Sequence, residues 1–123
     1  MEPNYSLIIP VYNLVTSLPE LVKRIDQTFS SINETYEIIF VDDGSEKTET
    51  LEKMKQLQII YPEKITIISL FTNSGQQSAI LCGIKNATGK YLITLDGDLE
   101  HRPEDIPNPV SYTHLPLPTS DLV

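Results

Sequence analysis

Three acidic residues at the end of the apolar run 91–95 are the most chemically informative feature of the sequence. Asp96, Asp98 and Glu100 occupy every second position, so an extended backbone directs their carboxylates to one side. Such carboxylates repel one another unless a cation compensates their charge. Mg²⁺ and Mn²⁺ prefer oxygen ligands and often share them with substrate phosphates. The triplet predicts a metal site, with a solvated acidic turn as the alternative.

Polar residues also follow two other apolar runs. Asp42 and Asp43 precede a Gly-Ser turn, where helix capping explains one aspartate and hydrogen bonds to a base or ribose would explain the other. Pro10 is expected to end the first strand, and Tyr12 either stacks on a nucleobase or occupies a buried edge. Gly75 begins a helix, either an ordinary one or one whose N-terminus faces a diphosphate.

Four short segments rich in β-branched residues are predicted to form the strands that position these side chains. They are residues 5–9, 36–41, 64–70 and 90–95. The segments between them carry apolar residues at helical spacing, and the resulting order is βαβαβαβ. This order predicts an α/β fold with a Rossmann-like parallel sheet and helices on both faces. Ligands of such sheets bind outside the carboxyl ends of the strands.

Composition excludes several classes of protein. The 123 residues suffice for one domain, and a net charge of −8 with 9 Lys and Arg argues against nucleic acid as a partner. Cys82 has no second cysteine to pair with and is expected to be a buried, inert thiol. We find no signal peptide and no apolar run of about 18 residues, the length of a membrane span, and we expect a soluble, cytoplasmic segment.

Residues 1–109 are predicted to form the folded part, and residues 110–123 an irregular tail. The tail has no periodicity and a single charged residue, Asp121. It is interpreted either as a flexible terminus or as translated read-through of a sequencing adapter, and we favour the second. An unbroken reading frame through codon 123 at the source locus would exclude the artefact.

Five motifs in order resemble those of family 2 glycosyltransferases with the GT-A fold, and the resemblance covers residues 5–107. Within the family they are most similar to the polyprenyl-phosphate branch, which includes dolichol-phosphate mannosyltransferases and undecaprenyl-phosphate glycosyltransferases. The motifs are Ile9-Pro10-Val11-Tyr12-Asn13, Val41-Asp42-Asp43-Gly44-Ser45, Asn73-Ser74-Gly75-Gln76-Gln77-Ser78-Ala79, Ala87-Thr88-Gly89, and Leu95-Asp96-Gly97-Asp98-Leu99-Glu100 followed by Pro103-Glu104.

The resemblance implies a metal-dependent, inverting glycosyltransferase, of which this chain holds the N-terminal, donor-binding part of the GT-A domain. The donor would be a UDP- or GDP-linked sugar, the acceptor a polyprenyl phosphate, and the cofactor Mg²⁺ or Mn²⁺. The full-length protein would act at the cytoplasmic face of a membrane. By similarity, the nucleotide is bound by Pro10, Tyr12, Asn13, Asp42, Asp43, Gly75 and Asp96. The same similarity assigns the metal to Asp96, Asp98 and Glu100.

Catalysis is then assigned to Asp96 and Asp98, because their cation would compensate the charge that develops on the leaving diphosphate. The acceptor phosphate is mostly ionised at neutral pH, so no protein base is required. Glu100 stands where this branch usually has Gln, which adds a negative charge at the cation.

Two other classes share the α/β plan. A nucleotidyltransferase usually carries a Gly-rich basic loop after the first strand, where this chain has Pro10 to Asn13. A non-enzymatic receiver domain needs a phosphorylatable aspartate after the third strand, where residues 71–73 supply none. The isolated chain is expected to bind nucleotide weakly and not to turn over.

Overall fold

The computed structural model describes residues 3–12, 16–44, 48–70 and 75–95, together with the backbone of residues 115–116. Strands and helices alternate through most of this part of the chain. The elements are β1 (Tyr5–Val11), α1 (Leu18–Ser31), β2 (Tyr36–Asp42), α2 (Thr48–Ile60), β3 (Ile65–Ser69), α3 (Gln76–Asn86), β4 (Tyr91–Thr94) and β5 (Leu115–Pro116). The strand order is β3-β2-β1-β4-β5, with β1 to β4 parallel and β5 antiparallel to β4. The predicted α/β sheet is thereby confirmed.

Alternation along the strands divides the core into two layers, as predicted. Odd-numbered residues of β1 and even-numbered residues of β2 pack against α1 and α2. Ile8, Ile39 and Val41 point the other way and pack with Ala79 of α3. The α3 helix lies close to the sheet through Gly83, where an added Cβ would lie 2.5 Å from Ile8 Cγ2. The parallel sheet is therefore covered on both faces.

One expected strand end is wrong. We expected Pro10 to end β1, but the strand continues to Val11, and Pro10 pairs with Val41 of β2. Even-numbered residues of β1 direct their backbone groups toward β4, since the Ile8 carbonyl accepts the Leu95 N–H. Among the residues that the structure describes, the β1 to β4 pairing ends at Ile8, so the missing N–H of Pro10 interrupts none of the described ladder bonds.

Smaller expectations were met in part. Cys82 lies on α3 and is half-buried against the core on that side of the sheet, where we expected a fully buried residue. It is a free thiol. Ser17, one of two residues that the sequence offers as the cap together with Thr16, occupies the N-cap position of α1, although its side chain makes no capping hydrogen bond. No helix among the described residues is long and apolar enough to cross a membrane. The domain boundary at residues 109–110 remains a prediction.

Candidate functional site

The carboxyl ends of β1 and β2 are joined beyond the last paired residues. The Asp43 N–H donates to the Val11 carbonyl at 2.9 Å, which extends the pairing of the two strands by one bond. On the other side, the Leu70 N–H donates to the Asp42 carbonyl at 2.9 Å. The backbone of the aspartate pair is therefore fixed between β1 and β3.

The side chain of Asp43 reaches the first residue of α3. Its Oδ2 accepts the Gly75 N–H at 3.1 Å, across 32 residues of sequence. Gly75 is the N-cap of α3 and has a φ of +97°, a conformation that L side chains rarely adopt. The structure thus brings together three of the regions predicted to bind the donor: the ends of β1 and β2, and the N-terminus of α3.

The remaining described candidates differ in exposure. Asp42 and Asp43 are 4% and 5% exposed, so both carboxylates are removed from bulk water. Tyr12 is 41% exposed just past β1, which agrees with the stacking alternative and not with a buried edge. Pro10 is half-buried near the carboxyl end of β1. An exposed aromatic ring beside buried carboxylates is a suitable arrangement for a nucleoside.

The described pairing of β1 with β4 ends at Ile8 and Thr94. β1 itself continues to Val11, and the residues that follow Leu95 lie outside the described part of the chain. Between β1 and β4 the order of the sheet reverses, because β1 leads to β2 on one side while α3 leads across to β4 on the other. Such switch points are where open α/β sheets bind ligands.

Four of the predicted site residues lie outside the described part of the chain: Asn13, Asp96, Asp98 and Glu100. Leu95, the last described residue of that segment, is 2% exposed and donates its N–H to the Ile8 carbonyl at 3.0 Å. Within the described residues, no group of three or more His, Cys, Asp or Glu is arranged to hold a metal ion. The metal ligands therefore remain predictions.

The Ala87-Thr88-Gly89 motif lies at the opposite end of the sheet. Glu37 Oε2 accepts hydrogen bonds from Thr88 N at 2.7 Å, Thr88 Oγ1 at 3.0 Å and Ser6 Oγ at 2.5 Å. Ser6 Oγ in turn accepts the Gly89 N–H at 2.8 Å. These contacts fix the start of β4 to β1 and β2, so this motif positions the sheet and does not line the site.

Sequence reasoning missed the long-range polar contacts, among them Asp43 to Gly75 and Glu37 to Thr88. Each residue has a sufficient local explanation as a cap, a turn or an exposed strand position. The only available signal was that the motifs occur together in one order, which indicates shared structure without naming the contacts.

The fold and this arrangement define a class of protein. The chain has the GT-A α/β fold of nucleotide-sugar-dependent glycosyltransferases. The family model described as "Glycosyl transferase family 2" matches residues 6–113, and the chain belongs to that family. The family predicted from the motifs is thereby confirmed, and neither the nucleotidyltransferase nor the receiver alternative gains support.

The chain is 39% identical over 106 residues to an undecaprenyl-phosphate 4-deoxy-4-formamido-L-arabinose transferase of Klebsiella pneumoniae subsp. pneumoniae. The match covers 86% of this chain and 32% of the relative, so the chain spans about a third of that protein's length.

Two solved structures share the fold. The mannosyltransferase PcManGT from Pyrobaculum calidifontis, in complex with GDP-Man and Mn²⁺, has a TM-score of 0.74 at 21% identity, over 91% of this chain and 32% of that one. GalNAc-T7 with UDP, GalNAc and Mn²⁺ has a TM-score of 0.66 at 22% identity, over 78% and 18%.

Proposed function

We propose that this chain forms the donor-binding part of a metal-dependent, inverting glycosyltransferase that transfers a sugar from a nucleotide sugar to a polyprenyl phosphate. In this proposal the nucleobase of the donor is uracil or guanine, as in UDP- and GDP-linked sugars. The observation that carries it is the contact from Val11 through Asp43 to Gly75 at the carboxyl ends of the strands in a family 2 sheet. The acceptor class is supported by the name of the 39% identical relative.

The described residues suit a nucleotide more than a metal. Tyr12 offers an exposed ring, and Asp42 and Asp43 offer buried carboxylate oxygens within the same strand ends. A carboxylate that accepts hydrogen bonds from a base or ribose is a common element of nucleotide recognition in such sheets. Pro10, Asn13 and Gly75 are proposed to complete the contact with the donor, and Asp96 to reach both the donor and the cation.

The proposed cation site consists of Asp96, Asp98 and Glu100. Their carboxylates are hard oxygen donors, which suit Mg²⁺ or Mn²⁺. Mn²⁺ accompanies the nucleotide in both related structures, which supports a divalent ion. When bound, this ion would compensate the charge on the leaving nucleoside diphosphate.

The reaction replaces one phosphate ester of the sugar by another. An oxygen of the acceptor phosphate forms a bond to the anomeric carbon, and the bond from that carbon to the nucleoside diphosphate breaks. Because the acceptor is already an anion at neutral pH, this chain needs only to hold the donor and exclude water from the anomeric carbon. We propose that the acceptor is bound at the cytoplasmic face of a membrane. We assign its binding to regions that correspond to the two thirds of the 39% identical relative outside the match.

Isothermal titration of the purified chain with UDP and GDP, with and without Mn²⁺, tests the proposal. We expect binding of one of the two diphosphates that strengthens at least tenfold with Mn²⁺. Asp98→Asn should abolish the Mn²⁺ enhancement, because it removes a carboxylate ligand. Glu52→Gln is the matched control, since Glu52 is an exposed carboxylate on α2 and its loss removes the same charge.

Equal Mn²⁺ enhancement in Asp98→Asn and in the unmodified chain would contradict the metal assignment. Binding of Mn²⁺ that is indifferent to nucleotide would contradict the donor site.

A further inference from the structure

The two adjacent aspartates at the end of β2 belong to opposite faces of the sheet. Phe40 packs with α1 and α2, and Val41 packs with α3. Since successive residues of a strand alternate, Asp42 continues the α1 and α2 side and Asp43 the α3 side. The hydrogen bond from Gly75 of α3 to Asp43 agrees with that assignment. The pair therefore contains two carboxylates in different surroundings.

We propose that Asp43 is a positioning residue, which holds the N-terminus of α3 against the ends of β1 and β2 and thereby shapes the donor site without binding the donor itself. This inference rests on the proposed function, because it assigns a role within that site. It also replaces the direct contact with the nucleotide that the family resemblance and the proposed function give to Asp43, and it leaves that contact to Asp42.

Asp43 is held at both its backbone and its side chain. The backbone N–H donates to Val11 at 2.9 Å, and the carboxylate accepts from Gly75 at 3.1 Å. Its Oδ2 is thus already engaged within the fold, by the residue that precedes α3. One residue thus connects β1, β2 and α3 at the edge where the donor is proposed to bind.

A side chain from the end of β2 caps the N-terminus of α3. Its N-cap is Gly75, which has no side chain to cap the helix and whose carbonyl accepts the first helical bond from Ala79 N at 3.1 Å. A carboxylate at a helix N-terminus is favoured by the helix dipole and by the unpaired N–H groups there. Asp43 supplies that carboxylate from the end of β2.

Removing the carboxylate should release the α3 N-terminus. Hydrogen bonds to charged groups are worth about 1.5–3 kcal/mol, so Asp43→Ala should accelerate hydrogen exchange at the Gly75 amide by at least about tenfold. Asp43→Asn keeps an acceptor oxygen in the same place, and a neutral bond is roughly half as strong, so its exchange should accelerate by only about threefold. Asp42→Asn removes the same charge one residue away and should leave this rate unchanged.

Nucleotide affinity should follow the same ranking. In titrations with UDP and GDP plus Mn²⁺, D43N should retain most of the affinity that D43A loses, because the oxygen and not the charge holds Gly75. D42N should weaken the nucleotide without any change at the Gly75 amide. This dissociation between the two aspartates is the result that a general loss of stability would not give.

Two results would overturn the proposal. One is an unchanged Gly75 exchange rate in D43A. The other is an equal loss of nucleotide affinity in D43N and D43A with Gly75 still protected, which would make Asp43 a direct ligand. If D43A does not fold, the comparison of D43N with D42N still tests the proposal, since each variant loses one charge. Only D43N should then accelerate exchange at the Gly75 amide. If the unmodified chain binds neither UDP nor GDP, the proposed function fails, while the exchange rates still test the Asp43 contact.

Discussion

At the amino ends of the strands, one Glu37 oxygen accepts three hydrogen bonds and links β2 to both β1 and the start of β4. At the carboxyl ends, the Asp43 carboxylate accepts the Gly75 N–H and so links the end of β2 to the N-terminus of α3. Both ends use a buried or half-buried carboxylate that binds residues distant in sequence. They differ in what the carboxylate connects: Glu37 connects strands to one another, and Asp43 connects a strand to a helix.

The difference separates structural from functional polar groups. The amino end holds the sheet in register, and its motif Ala87-Thr88-Gly89 acts entirely within the fold. At the carboxyl end, Asp43 fixes the N-terminus of α3 and the Tyr12 ring is exposed, in the region where the donor is proposed to bind. Substitutions at the amino end should therefore change stability, and those at the carboxyl end should change binding.

The largest expected effect is that of Gly89→Ala at the amino end. An added Cβ would lie 2.9 Å from backbone atoms of both Ser6 and Tyr5, which cannot move without breaking the sheet. We expect a loss of about 3 kcal/mol in the free energy of unfolding, measured by urea denaturation. The matched control is Gly75→Ala, which meets no atom within 4 Å and opposes only the φ of +97°. It should cost about 1–2 kcal/mol, and equal losses would contradict the comparison.

A smaller effect is expected for Glu37→Ala. It removes the acceptor of three hydrogen bonds and leaves the buried Ser6 hydroxyl without its acceptor, at a cost of about 2 kcal/mol. Glu37→Gln should cost about half of that, since neutral hydrogen bonds are roughly half as strong as charged ones. Nucleotide affinity of the folded fraction should be unchanged in both variants. A change in affinity would show that the amino end is not purely structural.

Alkaline pH should act on the amino end through Tyr36. Burial, reinforced by the hydrogen bond to Asp26 and its charge, raises the pKa of Tyr36 well above its ordinary value of 10.0. Because the raised pKa belongs to the folded state, Tyr36 contributes stability below pH 10, and that contribution is lost as the pH rises further. Urea midpoints of Tyr36→Phe should therefore fall less above pH 10 than those of the unmodified chain. Parallel pH profiles would contradict this.

The smallest effect is expected for Thr50→Val, and its sign is opposite. Thr50 is fully buried in the first turn of α2, and its hydroxyl has no hydrogen-bond partner within the described part of the chain. Valine has nearly the same shape without the polar atom, so we expect a gain of about 1 kcal/mol in the free energy of unfolding. Destabilisation in urea melts would show that the hydroxyl has a partner in solution.

The strands, helices and two-layer core could be predicted because local patterns carry them. Ile38 and Ile39 face opposite layers in an apolar run, which is the signature of a buried parallel strand. Pro10 was misjudged because its effect depends on where β4 ends, which is not a local property. The Asp43 to Gly75 contact could not be predicted, since each residue is locally explained as a turn former and 32 residues separate them.

The sequence predicted the candidate site only through its motifs, which name the residues but not their contacts. The structure shows the contact between Asp43 and Gly75, while the donor-binding roles of residues 42, 43 and 75 remain predictions. The division of roles between the two aspartates depends on strand alternation at the exact end of β2. Asp96, Asp98 and Glu100 continue from Leu95, which the structure places beside β1 next to the switch point. Their arrangement around a cation remains a prediction.

The most direct measurement is a crystal structure of the chain with UDP or GDP and Mn²⁺, in which anomalous scattering locates the metal. The account predicts a manganese peak at the carboxyl ends, between β1 and β4, with the nucleoside against Tyr12. It would be contradicted by a ligand in the groove of about 570 Å³ at the amino ends, which is lined in part by Glu34, Glu37 and Lys64. It would also be contradicted by manganese bound away from Asp96 and Asp98.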